Sequence, residues 1–267
     1  MLGGHEEIVF ACRQEGRDGH WYANFGYYAG DEQRKAYAAH GRLCKLNVRT
    51  GKVTNLVDDP EGTVRDPQVH YDGRKIVFSY RKGESDSFHL YEINVDGTAL
   101  RQLTDGGNIR QISSNSEHEN TPWPLADGRI LYQRWEYVDR SQVDYHHLWT
   151  TNPDGTGQMV FYGNMHPRTV MIDAKPIPGT EKVVAVFSPG HGRREHAGAI
   201  TILSPKHGPD EKAAAQRISK KDNYRDPYPL AANQFLVAQE RSLLPVSYTH
   251  LRAHETSLHL VCRLLLE

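Results

Sequence analysis

The chain has 267 residues, with 32 basic and 33 acidic side chains and a net charge of −1. That balance argues against a nucleic-acid or anionic-membrane partner. No apolar run is long enough to span a bilayer as a helix, and the start, MLGGHEEIVFACR, lacks the apolar core of a signal peptide.

In chain order, EEIVFACR (6–13) alternates as a strand does. A long connection, 14–42, follows; it carries His20, Trp21, Tyr22, Phe25, Tyr27 and Tyr28. Then LCKLNVRTGKVTNLV (43–57) reads as two strands about a Thr-Gly turn. The next unit has every part. Arg65-Asp66-Pro67 opens a strand, Tyr71-Asp72-Gly73-Arg74 turns, and KIVFSY (75–80) follows. After the loop 81–87, FHLYEINV (88–95), the Asp96-Gly97 turn and LRQLT (100–104) complete it. The order returns at Thr121-Pro122-Trp123-Pro124, with RILYQRW (129–135) and HLWTTN (147–152). It returns again at Asp173, with KVVAVFS (182–188) and AITIL (199–203), and last at Asp226-Pro227-Tyr228-Pro229 with QFLVAQ (234–239).

A four-strand unit repeating about every fifty residues predicts an all-β fold, a β-propeller of four-stranded blades. The traces are 6–57, 64–106, a remnant at 107–114, 120–164, 170–219 and 225–240. IRQIS (109–113) rhymes with LRQLT (100–104) with no blade between them: either the second is a loop that happens to rhyme or, the favoured reading, most of a blade is missing. The expectation is a six-bladed parent of which about four to five blades remain, an incomplete propeller over 1–244. Residues 245–267 are set aside. Val261–Glu267 is what GTA TGC CGT CTT CTG CTT GAA encodes, and Ser247–His250 matches TCT TAT ACA CAT. The segment resembles a translated sequencing adapter from a metagenomic fragment.

Asp72, Asp96, Asp127 and Asp154 precede turn glycines and read as turn formers, not acids. Trp123, Trp135 and Trp149 read as packing between blades. Cys12 and Cys44 fall in strands that should be neighbours; a cross-strand disulfide and a pair of half-buried thiols both stay open.

The candidate chemistry lies in the longer loops, since a rigid scaffold concentrates binding groups there. The ligand-binding candidates are His20, Trp21, Tyr22, His118, Glu136, Asp144, His146 and Arg194. His191 and His196, with Glu195 between them, can join His166 or His146 around a divalent metal ion, because neutral imidazole is a common ligand. The spacing is not the helical H-E-x-x-H pattern. No G-x-S-x-G elbow, P-loop or G-x-G-x-x-G occurs, so no catalytic residue is assigned. No CxxCH occurs, so the chain has no c-type haem attachment motif.

YDGRKIVFSY (71–80) and LYEINVDGTALRQLTDG (90–106) resemble the TolB-type, WD-like propeller repeat. HLWTTNPDGTGQMVFYGNMHP (147–167), MIDAKPIPGTEKVVAVFSPGHGRREHAG (171–198) and NTPWPLADGRILYQRWEYVDRSQ (120–142) are similar to bacterial proteins related to the hydrazine synthase alpha subunit. That resemblance implies a six-bladed propeller joined to domains bearing c-type haem, which this chain lacks. The TolB resemblance implies a periplasmic or secreted, protein-binding module. The expected partner is another protein or a downstream domain of the parent chain. The expected function is non-catalytic binding or scaffolding. The alternative is the propeller of a metal- or haem-dependent redox enzyme, or of a lyase or hydrolase.

Overall fold

The computed structural model describes residues 6–13, 39–70, 72–83, 88–104, 111–115, 119–189, 197–239 and 242–247. Among them the secondary structure is all strand, apart from short 3-10 turns at Pro205–His207 and Lys212–Ala214. No helix is long and apolar enough to cross a membrane. The fold is a β-propeller of antiparallel blades, and its strands fall into two compact units.

The first unit holds two blades. One is three-stranded: β1 (Glu7–Cys12), β2 (Gly41–Asn47) and β3 (Val53–Asp59), in that order. The other has four strands: β4 (Thr63–Val69), β5 (Lys75–Arg81), β6 (His89–Asn94) and the short β7 (Arg101–Gln102). Alternation puts Ala11, Leu43 and Val57 of the first blade against Val64, Ile76, Phe78, Tyr91 and Ile93 of the second. Burying each large side chain there contributes about 1.5–3 kcal/mol.

The second unit opens with Gln111–Asn115, which forms no strand. Next come β8 (Glu119–Pro124), β9 (Ile130–Val138), β10 (Ser141–Thr151) and β11 (Met159–Tyr162). The following blade is β12 (Thr169–Pro176), β13 (Val183–Ser188), β14 (Ala199–Leu203) and β15 (Ala215–Arg217). Leu131, Leu148 and Tyr162 of the former pack against Met171, Ala174, Val183, Ala185 and Leu203 of the latter. The last blade is β16 (Arg225–Ala231), β17 (Gln234–Gln239) and β18 (Ser242–Ser247). Thus Pro245, Val246 and Ser247, at the head of the segment set aside above, lie in a strand, and Val246 is buried.

The turn aspartates act locally. The carboxylates of Asp72, Asp96, Asp127 and Asp154 accept from the backbone N–H of Arg74, Thr98, Arg129 and Thr156 at 2.9–3.0 Å. Each precedes a glycine in the left-handed region, at φ between 69° and 89°.

A second repeated device was legible only as a strand opener. Each blade's first strand, where one is present, carries a bulge at one equivalent place. The bulges lie between Arg65 and Gln68, Asn120 and Trp123, Ile172 and Lys175, and Arg225 and Tyr228. Inside each sits a left-handed residue: Asp66 at φ 49°, Thr121 at 50°, Asp173 at 55° and Asp226 at 46°. The conformation costs an L-residue about 1–2 kcal/mol, least for Asp and Asn, so Thr121 is the strained member. Its hydroxyl accepts from the Asp173 N–H at 3.2 Å.

Within each unit, neighbouring blades are stitched at the lead-in to the later blade. Gly41 N–H donates to the Gly62 carbonyl at 2.9 Å. Tyr145 and His146 pair in parallel with Thr169 and Val170, and Gly198 exchanges two hydrogen bonds with Tyr224. The approach is close: a Cβ on Gly41 would lie 2.3 Å from Thr63 Cα. Gly41→Ala must move backbone, so we expect a loss at the upper end of the ~1–3 kcal/mol typical of overpacking. Chemical denaturation of the variant beside the parent checks it.

Candidate functional site

Two expected features of residues 136–146 are corrected. Glu136, Asp144 and His146, expected in a loop, lie instead in the top of a long hairpin, with β9 and β10 joined through Asp139-Arg140. Its composition hid it: the turn has no glycine, and Glu136, Asp144 and Gln142 mask the alternation. The pairing is held by side chains. Arg140 forms an ion pair with Glu136, donates to the Asn164 carbonyl at 2.8 Å, and lies 3.7 Å above the Tyr145 ring. Trp135 Nε1 donates to the Gln142 carbonyl at 3.2 Å. Tyr137, Val138 and Val143 stand exposed at this end.

Register then sorts the side chains. Glu136 faces Tyr145, Arg134 faces His147, and Tyr132 faces Trp149, so all six share one face. His146 is on the other face, paired with Trp135 and stacked on its indole at 4.9 Å between ring centroids. It is buried, 3.5 Å from the Gln133 side-chain amide. The imidazole beside Glu136 is therefore that of His147, with Nε2 3.7 Å from Oε1. One residue of register decides which imidazole lies beside Glu136, and sequence carries no signal for it.

On the Glu136 face a buried polar cluster forms. Arg134 pairs with Glu119, with Nε 2.6 Å from Oε1, and reaches Gln158 Oε1 at 2.7 Å and the Tyr132 hydroxyl at 3.2 Å. Its guanidinium lies 4.3 Å over the Trp149 ring. His147 is wholly buried, and neither ring nitrogen has a hydrogen-bond partner among the described residues. Burial first, then the positive charge of Arg140 and Arg134, pushes its pKa down to about 3. It is a neutral ring at any physiological pH. Burial likewise pushes Tyr132 up to about 12. Sequence reading missed Arg134, His147 and Glu119 as partners, because their pairing depends on register across three strands.

Of the other candidates, Asp144 anchors the hairpin base through its carbonyl, which accepts from Arg168 N–H at 2.9 Å. His166 is half-buried, edge-on to Tyr162, with Nε2 3.0 Å from the Asp210 carbonyl oxygen. His20, Trp21, Tyr22, His118, His191, Arg194, Glu195 and His196 lie outside the described residues. Among the described residues no three His, Cys, Asp or Glu side chains are grouped to hold a metal ion.

The inner strands carry a second cluster. Lys175 is buried; its Nζ is 2.6 Å from Asp226 Oδ1 and 5.2 Å from the Trp123 ring centre. Trp123 also meets Tyr228 edge-on at 6.2 Å. Trp123, Lys175 and Tyr228 are the residues just after the bulges of β8, β12 and β16. Trp123 thus joins blades, while Trp135 and Trp149 pack against His146 and Arg134 within their own.

No family model matches the chain. Hydrazine synthase subunit alpha from Kuenenia stuttgartiensis is 27% identical over 175 residues, which are 64% of this chain and 19% of that protein. The solved Kuenenia stuttgartiensis hydrazine synthase superposes with a TM-score of 0.72 at 19% identity, covering 95% of this chain and 44% of that one. TolB from Acinetobacter baumannii gives a TM-score of 0.41 at 10% identity, over 78% of this chain and 46% of that one. That last likeness is too loose to carry an argument. The chain spans about a fifth of the curated relative's length. It is a β-propeller similar in sequence to hydrazine synthase subunit alpha and similar in fold to the solved enzyme.

Proposed function

We propose that this propeller is a non-catalytic binding and scaffold module of an extracytoplasmic bacterial protein. Its partner is a protein surface, in the first instance another domain of the parent chain. One observation carries the reading. The β9–β10 hairpin ends in exposed Tyr137, Val138 and Val143, and is braced at its base by Arg140 on Glu136, Tyr145 and Asn164. An apolar tip on a braced stalk loses little conformational freedom on docking, which favours association. Glu136, at the brace, and Asp144 belong to this surface in our reading. The extracytoplasmic assignment rests on the TolB-type wording of the repeats.

A photo-crosslinking amino acid at Val138 of the full-length protein tests this. Adducts to peptides outside 6–247, or to a second protein, are expected. Their absence, with solvent quenching alone, overturns the reading.

The similarity to hydrazine synthase subunit alpha favours a second reading, the propeller of a metal- or haem-dependent redox enzyme. In that case His166, His191, Glu195 and His196 hold a divalent ion. Elemental analysis of the full-length protein separates the two. Stoichiometric metal that is lost on His191→Ala or His196→Ala favours the enzyme.

A further inference from the structure

The first blade buries two thiols against each other. Cys12 ends β1 and Cys44 lies in β2; their sulfur atoms are 3.6 Å apart. Cys12 pairs across the strands with Arg42 and Cys44 with Phe10, so the thiols are diagonal neighbours on one face. Phe10, Leu46 and Val48 surround them. The Cys44 thiol also lies 3.4 Å from Asn55 Oδ1. A disulfide requires the sulfur atoms to close by only about 1.5 Å, within reach of side-chain rotation and a small strand shift.

We propose that Cys12 and Cys44 are a modification site: a pair that a disulfide-bearing oxidant, such as oxidised glutathione or a dithiol oxidase, converts to an intramolecular disulfide. The more accessible thiol starts the exchange. Cys12 is 6% exposed and Cys44 1%. As a thiolate, Cys12 attacks one sulfur of the oxidant, whose S–S bond breaks and expels a glutathione thiolate. Cys44 gives up its proton and attacks the mixed disulfide, expelling the second glutathione. Two thiols are oxidised, one disulfide is reduced to two thiols, and two protons pass from protein to leaving groups.

The structural consequence is local and directional. Among the described residues β1 pairs only with β2 and forms the edge of its sheet. The bond would fasten that edge strand to its neighbour. It would also hold together both ends of the connection from Cys12 to Gly41, which carries His20, Trp21 and Tyr22. An oxidising compartment therefore sets how firmly β1 is held to β2. This inference does not rest on the proposed binding role.

The test uses the full chain with Cys262→Ser, leaving two cysteines. Oxidised glutathione is added across a series of sub-denaturing urea concentrations, which let the edge strand open. The expected product loses about 2 Da, the two thiol hydrogens, and yields a peptide joining Cys12 to Cys44. Its equilibrium constant against glutathione should exceed that of the fully unfolded chain by at least about tenfold, because a bond that stabilises the fold is favoured by it equally. With Cys44→Ser added, the reaction should stop at a glutathione adduct on Cys12. A persistent adduct with both cysteines present, thiols unchanged at every sub-denaturing concentration, or a constant no higher than in the unfolded chain would overturn the proposal.

Discussion

Arg134→Met is expected to lower the unfolding free energy by about 3–5 kcal/mol, the cost of stripping one partner from a buried ion pair. The methionine fills much of the arginine's volume, so lost packing is not the main term. What remains is the Glu119 carboxylate, whose side chain is 13% exposed, with its cation removed. Gln158 loses a donor as well, and the Trp149 ring loses the cation above it. For a chain of this size the thermal midpoint should fall by roughly 10 °C. The decisive measurement is the double variant Arg134→Met with Glu119→Gln. Removing the stranded charge should restore half or more of the loss, since paired residues couple strongly. Additive losses would show that Arg134 acts through packing alone.

The second large effect is acid sensitivity centred on His147. Its folded pKa, about 3, lies below the usual 6.5 of the unfolded chain, because burial disfavours the imidazolium. Below pH 6.5 the unfolded state therefore binds a proton that the folded state refuses. The stabilisation is fully present above 6.5 and is lost progressively as pH falls toward 3. Between pH 7 and pH 4.5 this one ring should cost roughly 2–3 kcal/mol of stability. His147→Phe keeps a planar ring and carries no titrating nitrogen. It should be as stable as the parent or more so at pH 7, since it removes two buried nitrogens that lack partners. Its stability should fall less steeply between pH 6.5 and 4.5. Urea titrations at several pH values give both slopes, and equal slopes would refute the assignment.

The polar groups of this site are mostly committed to one another. Arg134, Glu119, Gln158 and Tyr132 hold the blade's face, and Arg140 with Glu136 holds the hairpin. Tyr137, Val138 and Val143 stand exposed at the hairpin tip, the surface we propose for a partner.

Local physics wrote the blade rhythm into the chain. A strand needs period-two alternation, as in KIVFSY, and a tight turn needs a glycine past a short acid, as at Asp96-Gly97; both are properties of neighbours in sequence. For that reason strands and turns could be placed by reading alone, and so could the propeller. Three features escaped. The Glu136–Tyr145 hairpin depends on an arginine braced against Asn164 in the next connection. The choice of His147 over His146 as the neighbour of Glu136 depends on cross-strand register, where a shift of one residue exchanges the two faces. The bulges that turn Trp123, Lys175 and Tyr228 toward one another depend on left-handed residues that several neighbours jointly enforce. Contacts between residues distant along the chain decided all three, because the energies that select them arise only once strands lie side by side.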